Sequence, residues 1–153
     1  MYTKQYSSTF ASTEGYDFSK QVGYLLRRVY QRHTALFQKA IPETQLTVGQ
    51  FVVMCAVRDD NACSLSQIAK RTAIDPATVR GIMERLKARG LLKIDPNVAD
   101  RRKVRIRLTE DGDALIASMV PIAVDISERT FNGLNPAERM ALVYLLDKMG
   151  KRQ

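Results

Sequence analysis

The 153-residue sequence is poor in the residues that build metal centres and disulfide frameworks. It has no tryptophan, one histidine and two cysteines, Cys55 and Cys63. A single histidine argues against a His-based metal cluster within one chain, and two cysteines are too few for a disulfide scaffold. We therefore expect a protein that works without a metal or cofactor.

Long apolar runs are also absent. No stretch of 18 apolar residues occurs, so no membrane-spanning helix is expected. The polar first 15 residues lack the apolar centre of a secretory signal, so the cytoplasm is the expected location. No serine elbow, phosphate loop or paired-carboxylate motif stands out, which argues against an enzyme.

Surplus positive charge is confined to one segment. Residues 70–107 contain 12 Lys/Arg against 4 Asp/Glu, a net of +8, whereas the rest of the chain balances at 12 against 12. A charge gathered in this way creates a local field that attracts a polyanion. With an isoelectric point near 9.7, nucleic acid is the favoured partner, and a membrane surface is the alternative.

The first third of the chain predicts an arm and two helices. Residues 1–16 are polar and are interpreted as a flexible N-terminal arm. Apolar residues at steps of three and four predict an amphipathic helix over residues 17–40. Thr47 and Gln50 have the capping-box spacing, and the strongly apolar stretch that follows predicts a buried helix.

The basic segment opens with two short helices. Ser64 and Gln67 form a second capping-box pattern, Asp75 is a good N-cap before the next helix, and Gly90 is well placed to end it. Two helices joined by about three residues predict a helix-turn-helix, whose second helix enters the major groove. The residues predicted to read base edges are Ala77, Thr78, Arg80 and Gly81. The residues predicted to contact phosphates are Ser64, Arg85, Lys87 and Lys103.

A basic hairpin is predicted to follow, with strands over residues 91–95 and 103–108. In the second strand, Val104, Ile106 and Leu108 alternate with cations, which predicts an apolar side on the core and a charged side in water. This hairpin is interpreted as a wing whose tip enters a minor groove, with Asp100 orienting Arg102. The tip residues are Asp100, Arg101, Arg102 and Lys103.

Two more helices complete the chain. Thr109 is predicted to cap the first, and the last begins at Asn135 with Met140, Val143, Leu146 and Met149 on one face. The predicted fold is mainly α with a small β-hairpin (α+β): a winged helix-turn-helix with additional helices at both ends.

Several motifs in this order resemble the MarR family of bacterial regulators over roughly residues 17–150. The sharpest is the segment from Asp100 to Thr109, with its Asp-x-Arg wing and closing Leu-Thr. The others are Leu46–Phe51, Ser64–Ala69, Ile74–Val79 and Arg85–Leu92.

The resemblance implies a homodimeric transcription factor acting at the bacterial nucleoid. Residues 17–45 and 110–153 would form a helical dimerisation lobe, and residues 46–109 the DNA-binding lobe. Such proteins usually repress promoters at palindromic sites and leave the DNA when a small aromatic or phenolic ligand binds. Symmetry supports the dimer independently, since two recognition helices related by a two-fold axis match a palindrome.

The effector is expected to bind between the two lobes. An Arg or His beside aromatic walls would suit an aromatic carboxylate or its coenzyme A thioester. The candidate lining residues are Tyr24, Arg28, His33, Phe51 and Cys55.

Two other functions compete with this hypothesis. A repressor of the same kind could sense oxidants through Cys55 or Cys63, in which case mild peroxide would release DNA. An architectural DNA-binding protein without an effector would show steep salt dependence and no sequence preference.

Overall fold

The computed structural model describes residues 15–41, 46–60, 64–96 and 104–151. It confirms the mainly helical fold with one antiparallel hairpin and the predicted order of elements. A 3-10 turn (Phe18–Lys20) is followed by α1 (Val22–Ala40), α2 (Val48–Asp60), α3 (Leu65–Thr72), α4 (Pro76–Ala88), β1 (Leu92–Pro96), β2 (Val104–Leu108), α5 (Glu110–Thr130) and α6 (Pro136–Gly150).

The predicted helix starts are confirmed by their capping hydrogen bonds. The Gln50 backbone N–H donates to the Thr47 hydroxyl at 3.2 Å, and the Thr47 N–H donates to the Gln50 side-chain oxygen at 3.0 Å. The same reciprocal pair begins α3 at Ser64 and α6 at Asn135. These caps are local, so the sequence alone can specify them.

The first helix is shorter than predicted. The Asp17 carboxylate accepts the Ser19 N–H at 2.9 Å and caps the 3-10 turn, and the extended backbone at Gln21 separates this turn from α1. Phe18 therefore lies outside α1 and packs its ring edge-on against Tyr24, with 5.2 Å between ring centroids.

One continuous core joins α1 to the helix-turn-helix. The apolar middle of α2 is buried as predicted, at Val53, Met54 and Val57, and α2 packs against α3, α4, β2 and α5. One face of α4 is also buried, and α1, its C-cap residue and α5 contribute apolar side chains to the same cluster. These buried contributors are Val79, Ile82, Met83, Leu86, Phe37, Ile41, Ile116, Met119 and Ile126.

The end of α4 and the hairpin differ slightly from the prediction. Gly90 adopts a φ of +72°, and the Leu91 N–H donates to the Leu86 carbonyl at 3.0 Å, so Leu91 closes the helix and β1 begins one residue later. Ile106 is fully buried, but Val104 is 46 % exposed, so its predicted place on the core was wrong. Val104 pairs with Pro96 at the outer end of the hairpin, past the buried Ile106 and nearer the wing tip.

The elbow between α5 and α6 is held by one arginine. The Arg139 guanidinium pairs with the Glu128 carboxylate at 2.5 Å, lies 5.6 Å from the centroid of the Phe131 ring, and donates through Nε to the Leu134 carbonyl at 3.0 Å. This anchors the start of α6 to the end of α5.

The rest of α6 has little support within its own chain. None of its residues is buried. The four apolar residues of the predicted face are exposed, and Tyr144 and Leu145 are also 63 % and 50 % exposed, so the apolar surface is wider than predicted. Among the described residues, no helix is both long and apolar enough to cross a membrane.

The close contact between α5 and the helix-turn-helix requires a glycine at residue 112. A Cβ at Gly112 would collide with the Leu91 carbonyl oxygen, which is fixed by accepting the Thr109 N–H at 3.1 Å. Alanine normally stabilises a helix interior relative to glycine by about 0.5–1 kcal/mol, but here the collision should dominate. We predict that Gly112→Ala lowers the free energy of unfolding by about 1–3 kcal/mol.

Urea unfolding at a fixed protein concentration measures this change. Gly23→Ala is the matched control, since a Cβ at Gly23 meets nothing within 4 Å in α1. A Gly112→Ala protein as stable as the Gly23→Ala protein would contradict the predicted collision.

Candidate nucleic-acid interface

The predicted helix-turn-helix is present. α3 ends at Ala73, whose φ of +54° and ψ of +28° place it in the left-handed region, and Asp75 then caps α4. α3 and α4 both pack on α2, with Ile68, Val79 and Leu86 fully buried. The core therefore fixes the angle at which α4 presents its outer face.

The outer face of α4 carries the residues that the sequence singled out. Ala77, Thr78, Arg80, Arg85 and Lys87 are exposed, and Gly81 is half-buried. Within the described parts of the chain, no carboxylate pairs with the three cations of this face.

Several cations elsewhere on the surface are paired with carboxylates. Arg71 pairs with Asp59 at 3.0 Å, Arg107 pairs with Asp95 at 2.5 Å, and Arg139 is held by Glu128. The outer face of α4 is thus a site where positive charge is left available for an external anion.

Asp75 fixes the first turn of α4. Its carboxylate accepts the Thr78 N–H at 2.9 Å, and hydrogen bonding from Thr78 lowers the pKa of Asp75. Ser64 caps α3 in the same way, since its hydroxyl accepts the Gln67 N–H at 3.3 Å.

The Arg85 side chain folds back along α4. A Cβ placed on Gly81 would lie 3.8 Å from Nη1 and 4.0 Å from Nη2 of Arg85. The guanidinium therefore lies over Gly81, one turn nearer the start of the helix than its own Cα. At these distances a Cβ at residue 81 would make only ordinary van der Waals contact with the guanidinium.

The base of the wing is organised by a cross-strand ion pair. Asp95 bonds to the Arg107 guanidinium, which holds the pKa of the Asp95 carboxyl below its usual value. Lys93 and Arg105 remain exposed on the same hairpin. The predicted tip residues Asp100, Arg101, Arg102 and Lys103 lie outside the described residues.

The five candidate effector residues do not form one cluster within a chain. Tyr24 and Arg28 lie on the exposed first half of α1, and Phe51 and Cys55 are half-buried against the core. The Phe51 ring packs on Phe37, 5.7 Å between centroids. Tyr24 precedes Phe37 by 13 residues of α1, or roughly 20 Å of helix. A single aromatic ring cannot span that distance, so Tyr24 and Phe51 of one chain do not share a small ligand.

His33 and its neighbours form a polar junction between α1 and α5. His33 Nδ1 lies 3.0 Å from the Thr130 hydroxyl, and the Arg32 guanidinium donates to the Arg129 carbonyl at 3.1 Å. Beside them, the Thr34 hydroxyl is buried and has no hydrogen-bond partner among the described residues. Sequence patterns did not indicate Thr34, because a lone threonine within a helix carries no signal of its environment.

The cysteines give little support to oxidant sensing. Burial raises the pKa of the Cys55 thiol, which keeps it protonated and a poor nucleophile. Cys63 lies outside the described residues. Within the described ranges, no three His, Cys, Asp or Glu side chains are grouped to hold a metal ion.

Comparison with known proteins agrees with this geometry. The family model described as "MarR family" matches residues 46–104. The HTH-type transcriptional repressor NicR of Pseudomonas putida is 53% identical over 134 residues, covering 88% of this chain and 85% of that protein. This chain belongs to the MarR family. It is accordingly a DNA-binding transcriptional regulator and not an enzyme.

Solved structures of MarR relatives share the fold. BpsR of Bordetella bronchiseptica is 61% identical with a TM-score of 0.86, covering 90% of this chain and 99% of that one, and its structure addresses regulation of DNA binding by 6-hydroxynicotinic acid. The repressor CouR, solved on a 23-mer DNA duplex, is 25% identical with a TM-score of 0.79, covering 87% of this chain and 94% of that one.

The Asp75 cap supports a pH-dependent prediction. Its pKa is lower in the folded state than the unfolded value of about 3.9, so its contribution is present above pH 4 and is lost as the pH falls through the folded-state pKa. Asp75→Ala should lower the melting temperature at pH 7, and the difference from wild type should shrink below about pH 4.

Circular dichroism melts between pH 7 and pH 3 measure this effect. Asp75→Asn keeps a capping oxygen without the charge, and should therefore lose less stability than the alanine variant. A wild-type to alanine difference that stays constant down to pH 3 would contradict the role of the ionised cap.

Proposed function

We propose that this protein is a homodimeric repressor that binds a palindromic operator and is released by a hydroxylated heteroaromatic carboxylate such as 6-hydroxynicotinic acid. The observation that carries the proposal is the 61% identity to BpsR, whose DNA binding is described as regulated by that acid. The 53% identity to the repressor NicR supports repression of transcription over activation. Of the two effectors that the sequence suggested, the proposal therefore keeps the aromatic carboxylate and leaves out its coenzyme A thioester.

The exposed apolar surface supports the dimer. An open groove of about 540 Å³ is lined by Phe131, Met140, Val143 and Tyr144 between the end of α5 and α6. The first half of α1 also exposes Val22 and other apolar side chains. A second copy would cover these surfaces through a symmetric interface, because apolar area of this extent is rarely left in water.

The charge distribution supports DNA as the partner. We assign α4 to the major groove, with Ala77 and Thr78 near thymine methyl groups and Arg80 on the edge of a guanine. The wing, including Arg102 at its tip, would follow the neighbouring minor groove. Two copies related by a two-fold axis would place two α4 helices on the two halves of a palindrome.

The path of Arg85 changes the role predicted for it. Its guanidinium lies level with Gly81, in the half of α4 that approaches the bases. We therefore assign Arg85 to a base edge and leave Lys87 as the phosphate contact on this helix.

We predict that Arg85→Ala weakens binding to the preferred sequence by about 1–3 kcal/mol and binding to random DNA by much less. Lys87→Ala, the matched control, should weaken both alike and reduce the salt slope by about one. Fluorescence anisotropy against a duplex selected from a random pool, at several salt concentrations, measures both. If Arg85→Ala weakens binding to both DNAs equally, Arg85 contacts a phosphate and not a base edge.

The effector proposal is tested by competition on the same duplex. Saturating 6-hydroxynicotinic acid should weaken DNA binding by about 5–150-fold, because the ligand must prefer a dimer that does not match the operator. Nicotinic acid, which lacks the hydroxyl, should act more weakly. If the hydroxylated acid leaves the DNA affinity unchanged, this effector class is wrong. If the protein also shows no sequence preference, the architectural alternative is favoured.

A further inference from the structure

The two strands of the wing carry four charged side chains on one face. In the pairing register, Lys93 lies opposite Arg107 and Asp95 lies opposite Arg105. Because successive side chains of a strand point to opposite faces of the sheet, these four share the face turned away from the buried Ile106. This face is called the outer face of the wing below.

Two like charges are directly opposite each other on the outer face. Like charges at such cross-strand positions destabilise a sheet, so the pair of Lys93 and Arg107 has a cost for the hairpin. Asp95 reaches diagonally past its direct partner and bonds the Arg107 guanidinium at 2.5 Å. This bond compensates the charge of Arg107 and reduces the repulsion between the strands.

One carboxylate leaves two of the three cations uncompensated. Lys93 and Arg105 are exposed, and no carboxylate of the described ranges forms an ion pair with either of them. The hydrogen bond from Arg107 lowers the pKa of the Asp95 carboxyl most, and the charges of the two other cations lower it further. All three cations therefore lie around one spot, and such a surface attracts an external anion.

The outer face has a defined direction relative to the recognition helix. β1 packs against α4, and Leu92 and Ile106 on the inner face of the hairpin belong to the core that α4 shares. The outer face therefore points away from α4. With α4 in the major groove, DNA that meets the outer face lies on the far side of the wing, beyond the base pairs that α4 would read.

We propose that Lys93 and Arg105, on the outer face of the wing, bind backbone phosphates of the DNA that flanks each half-site. This inference rests on the proposed function for the placement of α4 in the major groove. Duplex DNA fits this face because its phosphates recur closely along the helix. Phosphate contacts carry no sequence information, so the outer face adds affinity and extends the length of duplex that is bound.

Two duplexes test the proposal. One contains the preferred sequence alone, and the other extends it by about half a helical turn of arbitrary sequence on each side. In fluorescence anisotropy, Lys93→Gln and Arg105→Gln should each bind the long duplex at least about threefold more weakly than wild type, with a salt slope lower by about one for each bound chain. Both variants should bind the short duplex as wild type does.

Two further variants complete the experiment. Asp95→Asn removes the negative charge of the outer face and should bind the long duplex more tightly than wild type, because the charge that repels a phosphate is lost. Lys20→Gln is the matched control, since it removes one positive charge from the 3-10 turn before α1 and should change neither affinity. Thermal melting without DNA confirms that each variant is folded.

The outcomes separate this inference from the proposed function. If Lys93→Gln and Arg105→Gln bind both duplexes as wild type does, or weaken both alike, the outer face does not contact flanking DNA and only this inference is wrong. An Asp95→Asn protein that binds the long duplex no more tightly than wild type also contradicts it. If wild type selects no preferred sequence, the proposed operator binding fails, and this inference fails with it because there is no half-site to flank.

Discussion

The constraint on which the rest of the structure depends is the apolar surface that one chain cannot cover. α6 buries none of its residues, and the first half of α1 exposes Val22, Leu25 and Val29 by 60%, 44% and 52%. A helix that is apolar around much of its circumference is stable in water only against a partner. In the proposed dimer, a second copy would supply that partner and would also fix the distance between two recognition helices, which must match the spacing of the two halves of a palindrome.

The single core explains how a small ligand could change that distance. Phe37 from α1, Met54 from α2 and Ile126 from α5 belong to one packed cluster. Because packed interiors resist compression, a shift of one of these helices cannot be absorbed locally and moves its neighbours. α2 packs directly on the recognition helix α4, and Gly112 lets α5 approach Leu91 just beyond the end of α4. The DNA-binding surface and the proposed dimer surface are therefore connected through one packed core.

The sequence predicted the local features of this fold well. Capping pairs at Thr47, Ser64 and Asn135 and the left-handed Gly90 depend on a few adjacent residues, and all are confirmed. The sequence did not predict the features that depend on packing between distant residues. The fold-back of Arg85 over Gly81 and the orphan hydroxyl of Thr34 are set by neighbours that no periodicity reveals. Helical spacing indicated apolar faces on α1 and α6, but it could not show that those faces would remain open within one chain.

The most direct test of this account is the assembly state of the full-length protein. Sedimentation equilibrium at micromolar concentration should give a dimer, and Tyr144→Asp should give a monomer, because the charge would be placed on the exposed apolar surface of α6. Ala137→Asp is the matched control: it adds the same charge in the first turn of α6, where a carboxylate is favourable, and should remain a dimer. A wild-type protein that is monomeric and still binds one duplex with full sequence preference would contradict the central claim.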